Sequence, residues 1–555
     1  TYNLMRTFVA GLAFIMPFSL VHQMVKDRLG RNISGWKKKL PSVTGFLAGI
    51  AVSVAGNMHY VVYACVIPWI QKLKGEEVSS YWFPDATRYI GFNPDVADKT
   101  IHEFPCYSFV LGDLHAHVVN VMFVLFLVGL LYTWMRSVRM REAVIERPGR
   151  KQFWKRQLLI PHIILAAVMI GMFRFTNFWD FIIYFVVTGG VVLFTNIVQF
   201  EGKVKKILSV TVVQAVEIIV ISYVVSLPFT LQFDSMFKGV GIAQNHSMIH
   251  QLLILWGLPV FLTVLLIICI IWEKLRGGAN RSLYRLMKAI SVPDLFVIIM
   301  GLCAIGLIVI PEFVYVRDIY ESRNARANTM FKLTYQAYIL FALMMSYILV
   351  FFVADRIKIL QETKLDNRYE KKVRLSKVQI TVGGMAIILL ISTCGYFVNA
   401  TTNWFTGFPL KNKYQTLNAT AYIENAIPED AAAIRWLNKN ITGQPTVLEA
   451  CGDSYKDYDN RVSAMTGLPT VLGWYVHEWL WRNNLDEENK RRTDVETIYT
   501  STDKKEVQEL LEKYEVNYIF IGSCEYQKYE GVNVALLSSL GEIVFKEENT
   551  MIVKL

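Results

Sequence analysis

Residues 101–120, IHEFPCYSFVLGDLHAHVVN, place Glu103, Asp113, His102, His115 and His117 directly ahead of a long apolar run. Ionisable groups at membrane depth are expensive, so a chain rich in apolar runs gathers them where they serve a purpose. A carboxylate there can take a proton from an acceptor hydroxyl or hold a divalent metal such as Mg or Mn. The structural alternative is an acid that starts a helix, since Glu103 lies just ahead of a proline and Asp113 just ahead of the apolar run. The DLHAH run sets Asp113, His115 and His117 two apart, on one side of an extended segment. On a helix only Asp113 and His117 align. Metal ligation by these three competes with histidines hydrogen-bonded inside a bundle or paired with a substrate phosphate.

Three further groups carry polar chemistry. Asp180 closes TNFWD ahead of another apolar run, where it either caps a helix with Asn177 or meets substrate. The run RDIYESRNARANTMFK supplies Arg317, Arg323, Arg326 and Lys332, and guanidinium forks match phosphate oxygens. Snorkelling toward headgroups is the plainer use of such residues. GWYVHEWLWRN offers His477, Glu478, Trp479 and Arg482 beside further tryptophans. Indole faces stack on sugar rings, or they dock at a membrane interface.

The elements that must position these groups are mostly membrane helices. The chain has 555 residues, 53% hydrophobic, with a net charge of +11. Apolar runs long enough to span a bilayer occur near 3–25, 42–70, 117–135, 157–173, 181–200, 207–228, 251–272, 292–311, 333–353 and 378–398. The fourth is short, and Pro68 is a candidate break in the second. The pattern predicts a polytopic α-helical protein of about ten spans. Loops 26–39, 136–156, 201–206, 273–288 and 354–377 carry 30 Lys/Arg, against 10 in loops 71–116, 171–180, 229–250 and 311–332. The positive-inside bias puts the first set in the cytoplasm, and the second set, the N-terminus and everything beyond residue 400 outside. Basic residues confined to short interhelical loops argue against a nucleic-acid partner.

Residues 1–400 therefore read as a membrane domain and 401–555 as an extracytoplasmic α/β domain. That tail is acidic, with 23 Asp/Glu against 16 Lys/Arg. Residues 428–440 and 503–514 read as helices, 446–450 and 516–522 as strands, and 542–555 as a hairpin. Seven scattered cysteines form no CxxC pair, which leaves a disulfide framework or zinc ribbon without support, and whether Cys451 and Cys524 meet in the tail is not decided by sequence alone. The chain starts at Thr1 without a signal peptide, so further spans are expected upstream.

EFPCYSFVLGDLHAH, TNFWD, PEFVYVRDIYESRNARANTMFKLTYQAY and TGLPTVLGWYVHEWLWR, in this order, resemble the YYY (Chlor_Arch_YYY) family of polytopic membrane proteins. That family is grouped with the GT-C membrane glycosyltransferases, which use polyprenyl-phosphate-linked sugars and outer-loop carboxylates, some with a divalent metal. The resemblance runs from about residue 85 into the tail. It implies functional positions at Glu103, Asp113, Asp180, Arg317, Asp318, Lys332, His477, Glu478 and Arg482, and additional N-terminal spans carrying a further acid. The expectation is sugar transfer to a glycan or protein acceptor. Asp113 or Glu103 would be base or metal ligand, the 317–332 cations would hold the lipid phosphate, and the tryptophan-rich segment would cover the sugar. The competing expectation is a lipid or polyprenol-glycan transporter, or an envelope-assembly scaffold. Glu217 is the clear mid-span acid, and the other charges gather at the outer mouth, which favours surface chemistry.

Overall fold

A computed structural model describes residues 2–30, 35–141, 150–233, 239–276, 282–318, 323–354, 370–405, 417–482 and 485–555. The chain forms two compact units, a helical one of residues 4–233 and 237–414, and one built mainly from residues 415–555. Within the first, eight helices are long and apolar enough to cross a membrane among the described residues. They are Tyr2–Leu29, Ala116–Met140, Phe178–Gln199, Val204–Thr230, Ile249–Leu275, Val292–Phe313, Ala327–Val353 and Lys377–Trp404. Pro161–Thr176 is a shorter apolar helix, as its sequence suggests.

The second expected span is indeed broken, but not at Pro68. Lys37–Ser53 and Met58–Lys74 meet at an angle of 79°, with residues 54–57 between them. Pro68 lies instead inside the continuous helical run Met58–Lys74, just past the π-helical stretch Val61–Val66. A break strands backbone carbonyls that lipid cannot satisfy. Here one phenol, Tyr338, answers, its single O–H donating to Ala55 O at 2.5 Å, with Gly56 O at 3.2 Å and Ala51 O at 3.3 Å beside it. Gly56 is required by contact, since a Cβ on it would lie 2.6 Å from Tyr396 Cβ.

Tyr338 belongs to the Ala327–Leu349 helix, the axis of this unit: 89% of its most apolar window is buried by its neighbours. The site residues Lys332 and Gln336 ride on it. Two interhelical loops also pair, as β1 (Val240–Ile242) runs antiparallel to β2 (Val314–Val316).

At the lysine- and arginine-rich end, two acids are closely partnered. Asp294 takes an ion pair from Arg28 and hydrogen bonds from the Tyr347 hydroxyl (2.7 Å) and Ser291 Oγ (2.6 Å). Asp27 accepts from Gln23 Nε2, the Tyr132 hydroxyl and Arg136 Nε at 2.7–2.8 Å.

The second unit is α/β, with helices and strands close to the expected ranges. Pro428–Asn440 and Lys504–Lys513 are helical. β3 (Thr446–Leu448), β4 (Val516–Ile521), β5 (Glu542–Glu547) and β6 (Thr550–Lys554) form one sheet in the order β3-β4-β6-β5. β3 and β4 are parallel, while the other pairings are antiparallel, β5 and β6 as the expected hairpin. Fully buried Arg461 pins this unit together, bonding Asp430 at 2.7 Å and Glu525 at 2.8 Å. Cys451 and Cys524 are free thiols.

Candidate functional site

The site is built on a tight turn between two helices. Phe104 is extended ahead of Pro105, which opens the Pro105–Leu111 helix, and Gly112 closes that helix at φ +72°. Gly112 also allows a close approach: a Cβ there would lie 2.5 Å from Arg6 Cζ. Arg6, on the Tyr2–Leu29 helix, thus sets a guanidinium beside the turn that carries Asp113. The Asp113 carboxylate accepts from the His115 backbone N–H at 2.8 Å and also bonds the His115 ring. Asp113 thus ties down the start of the following helix, as the structural alternative expects, with its carboxylate still 17% exposed.

From this turn the Ala116–Arg141 helix carries His117 inward. His117 is buried, with Nδ1 3.4 Å from Lys332 Nζ and Nε2 3.9 Å from Asp113 Oδ2. His117 Nε2 has no hydrogen-bond partner among the described residues. The Lys332 ammonium feels three carboxylates, Asp180, Glu103 and Asp113. Glu103 accepts from Arg88 Nη2 at 2.9 Å, and Arg88 Nη1 reaches the Tyr107 hydroxyl at 3.1 Å. Neither Arg6 nor Arg88 stands out in the sequence, since each is a lone cation without a motif.

The two carboxylates are driven apart. Burial raises the Glu103 carboxyl above its ordinary value, against the pull of Arg88. Burial acts the same way on Asp113, but the His115 ring and backbone bonds outweigh it and hold Asp113 below the ordinary range. The same bond raises His115, which is 63% exposed. His102 is fully buried beside Glu103, and burial lowers it to about 3. Opposed shifts of two neighbouring acids are how one site holds a base and a fixed anion together.

Asp180 lies beneath, fully buried. Its carboxylate accepts from Asn120 Nδ2 (3.0 Å), Asn177 Nδ2 (2.9 Å) and Gln336 Nε2 (2.8 Å). It is therefore a solvated internal anion near Lys332, placed to support the site from below.

The expected cationic group does not act as one. Arg326 is 2% exposed, its Nε 2.6 Å from Asp98 and its Nη1 3.0 Å from Glu312, so its charge is already matched by two buried acids. Lys332, on the axial helix, faces His117 of the Ala116–Arg141 helix, while Arg317 and Arg323 are exposed in the stretch ahead of the axial helix. The correction has a physical cause: sequence neighbours on a loop entering a helix point to different faces. Nor do Asp113, His115 and His117 make a ligand set, and among the described residues no group of three or more His, Cys, Asp and Glu is placed to hold a metal. His115 bonds Asp113 through Nδ1, and an ammonium faces His117 Nδ1, a poor setting for a cation.

In the second unit, His477, Glu478, Trp479 and Arg482 share the Tyr475–Arg482 helix. Arg482 Nε pairs with Glu478 at 2.7 Å, one turn apart, and His477 Nδ1 lies 2.8 Å from Ser454 Oγ.

A family profile described as an uncharacterized membrane protein, DUF2298, matches residues 1–293 and 281–341, more than half of the chain. The chain belongs to the DUF2298 family of membrane proteins. The YYY name suggested by the motifs is not the one the match returns. No curated protein matches. Among solved structures, the chain is similar to the apo oligosaccharyltransferase of Archaeoglobus fulgidus, at 11% identity and a TM-score of 0.38, over 94% of this chain and 58% of that one. It is similar also to the oligosaccharyltransferase AglB of Archaeoglobus fulgidus in complex with an inhibitory peptide and a dolichol-phosphate. There the identity is 10% and the TM-score 0.37, over 93% and 58% of the two chains. This DUF2298 chain thus spans 58% of the length of those proteins.

Proposed function

We propose that this membrane protein is a glycosyltransferase that moves a sugar from a polyprenyl-phosphate-linked donor to a glycan or protein acceptor outside the cytoplasm. The reading rests on the convergence of Glu103, Asp113, His115, His117 and Lys332 at one end of apolar helices, where a lipid phosphate enters from the bilayer surface. The loop charges support an extracytoplasmic setting for that end and for residues 401–555.

In this mechanism an acceptor hydroxyl attacks the anomeric carbon, forming the new glycosidic bond as the bond to the phosphate oxygen breaks. Glu103, whose carboxyl burial makes the more basic, takes the hydroxyl proton. Asp113 stays anionic and orients the acceptor with His115. Lys332, aided by Arg6, meets the charge developing on the leaving polyprenyl phosphate. Exposed Arg317 and Arg323 steer the anionic donor inward. The residues present do not fit a bound metal, and no step is routed through one.

The test is transfer of label from radiolabelled polyprenyl-phosphate sugars by purified protein in proteoliposomes. Asp113→Asn and Glu103→Gln should each cut the rate by about 100-fold or more. Unchanged rates in both would remove this site from the reaction.

One observation favours a second reading, transport of the lipid. The 79° break interrupts a membrane span, beside a small recess of about 40 Å³ lined by Gly56, Asn57, Trp256, Pro259, Tyr338 and Thr393. Movement of the lipid across the bilayer without any glycosidic bond forming would support that reading instead.

A further inference from the structure

A surface of the α/β unit carries an aromatic cluster that the transfer reaction above does not use. The loop that follows β3 exposes Tyr455, 71% accessible and held at φ +67°. A bulky residue in that backbone region is an outlier, tolerated where the surroundings fix it. The Tyr455 ring lies 5.9 Å from the Trp474 ring and 5.1 Å from His477, and Trp474 and His477 are 5.4 Å apart.

The cluster is pre-organised. Trp474 Nε1 donates to Asp459 O at 3.1 Å, which fixes the indole plane, and Tyr475 N donates to Gly452 O at 3.1 Å. Gly452 must lack a side chain, because a Cβ there would lie 2.5 Å from Asp459 Cβ and 3.2 Å from Trp474 Cδ1. The loop is closed by Asp453 N donating to Asp459 at 2.8 Å, and its far side is tied where the Tyr422 hydroxyl donates to Asp457 O at 2.9 Å. Polar edges surround the rings: Ser454 Oγ beside His477 Nδ1, and the half-exposed carboxylate of Asp453 beside Lys456.

An exposed Tyr455 face flanked by Trp474 and His477 rings tilted 51–68° to it and to each other, with hydroxyl, carboxylate and ammonium groups at the rim, suits one ligand chemistry above others. A pyranose ring offers an apolar C–H face to stack and an equatorial belt of hydroxyls to bond. We infer that the Tyr455–Trp474–His477 platform is a saccharide-binding site of the α/β unit. Rigid rings lose little freedom on binding, so affinity follows from a small surface. The inference goes beyond the transfer reaction, since the platform binds glycan whether or not the membrane site moves sugar.

The experiment uses the full-length protein in detergent on an array of defined oligosaccharides, followed by saturation-transfer NMR with the best-retained glycan. At least one glycan should be retained, and Tyr455→Ala and Trp474→Ala should each weaken it about tenfold or more. Tyr455→Phe, which keeps the ring face, should retain binding and so reports that the loop still folds. Retention unaltered in both alanine variants would overturn the site, as would an array on which nothing binds. Quenching of Trp474 by brominated lipid in nanodiscs, with no glycan retained, would instead assign these rings to the membrane surface. Glycan retention and sugar transfer are read in separate assays, so loss of transfer alone leaves the platform standing.

Discussion

The two ends of the helical unit treat charge in opposite ways. At the basic end, Asp294 has Arg28, Tyr347 and Ser291, and Asp27 has Gln23, Tyr132 and Arg136. At the other end His117 Nε2 is buried without a hydrogen bond, and Lys332 answers to three acids at once. The two ends share the axial helix: Lys332 and Tyr347 are fifteen residues apart on it, about 22 Å at 1.5 Å per residue. Buried charges that are completely partnered hold helices together, and removing one partner leaves the other stranded. Other buried polar atoms, among them Trp134 Nε1 and Glu217 Oε2, also lack a hydrogen bond among the described residues, but at His117 the lack coincides with a cluster of ionisable groups, which is what marks a candidate ligand site.

The comparison predicts opposite consequences for like substitutions. The largest effect on function is expected for Lys332→Met, which should lower transfer by about 100- to 1000-fold while the melting temperature stays within a few degrees. A loss of fold with no specific loss of activity would make Lys332 one more structural ion. Asp294→Asn should do the reverse, destabilising by roughly 3–5 kcal/mol because Arg28 is left without its acid. Its rate per folded molecule should be unchanged, and a denaturation curve beside a transfer assay separates the two. Gly112→Ala comes next: the left-handed backbone costs about 1–2 kcal/mol, and the added Cβ displaces Arg6. Donor affinity should fall more than maximal rate, readable as a KM change.

The smallest effect is the pH window of the Asp113–His115 pair. Asp113 is held below its ordinary value, so its share of stability is present above the unfolded carboxylate pKa and lost as pH falls through the depressed one. His115 is raised, so its share is full below the ordinary imidazole value and lost as pH rises through the raised one. Melting temperature should therefore gain a shallow plateau between the two, which His115→Gln flattens. Identical profiles would show that the pair does not persist in solution.

Much of this was legible in the chain and part of it was not. The span pattern, the tail helices and the terminal hairpin follow from hydrophobic periodicity, which local sequence carries in full. Glu103 and Asp113 announce themselves because acids are rare beside apolar runs. The functions of single arginines are another matter. Arg326 in a buried clamp, Arg88 against Glu103 and Arg6 against Gly112 differ only in what lies across the fold, up to 228 positions away. The break at residues 54–57 was hidden too, because the hydroxyl that makes it tolerable sits 283 residues downstream of Ala55.

Asp180 brings its own solvent into the protein. Asn120, Asn177 and Gln336 act as a hydration shell cast in side chains, drawn from the Ala116–Arg141 helix, the start of the Phe178–Gln199 helix and the axial helix. Sliding any one of these elements by the length of a hydrogen bond would strip the anion of part of that shell. The carboxylate below Lys332 thus locks the register of three helical elements to one another.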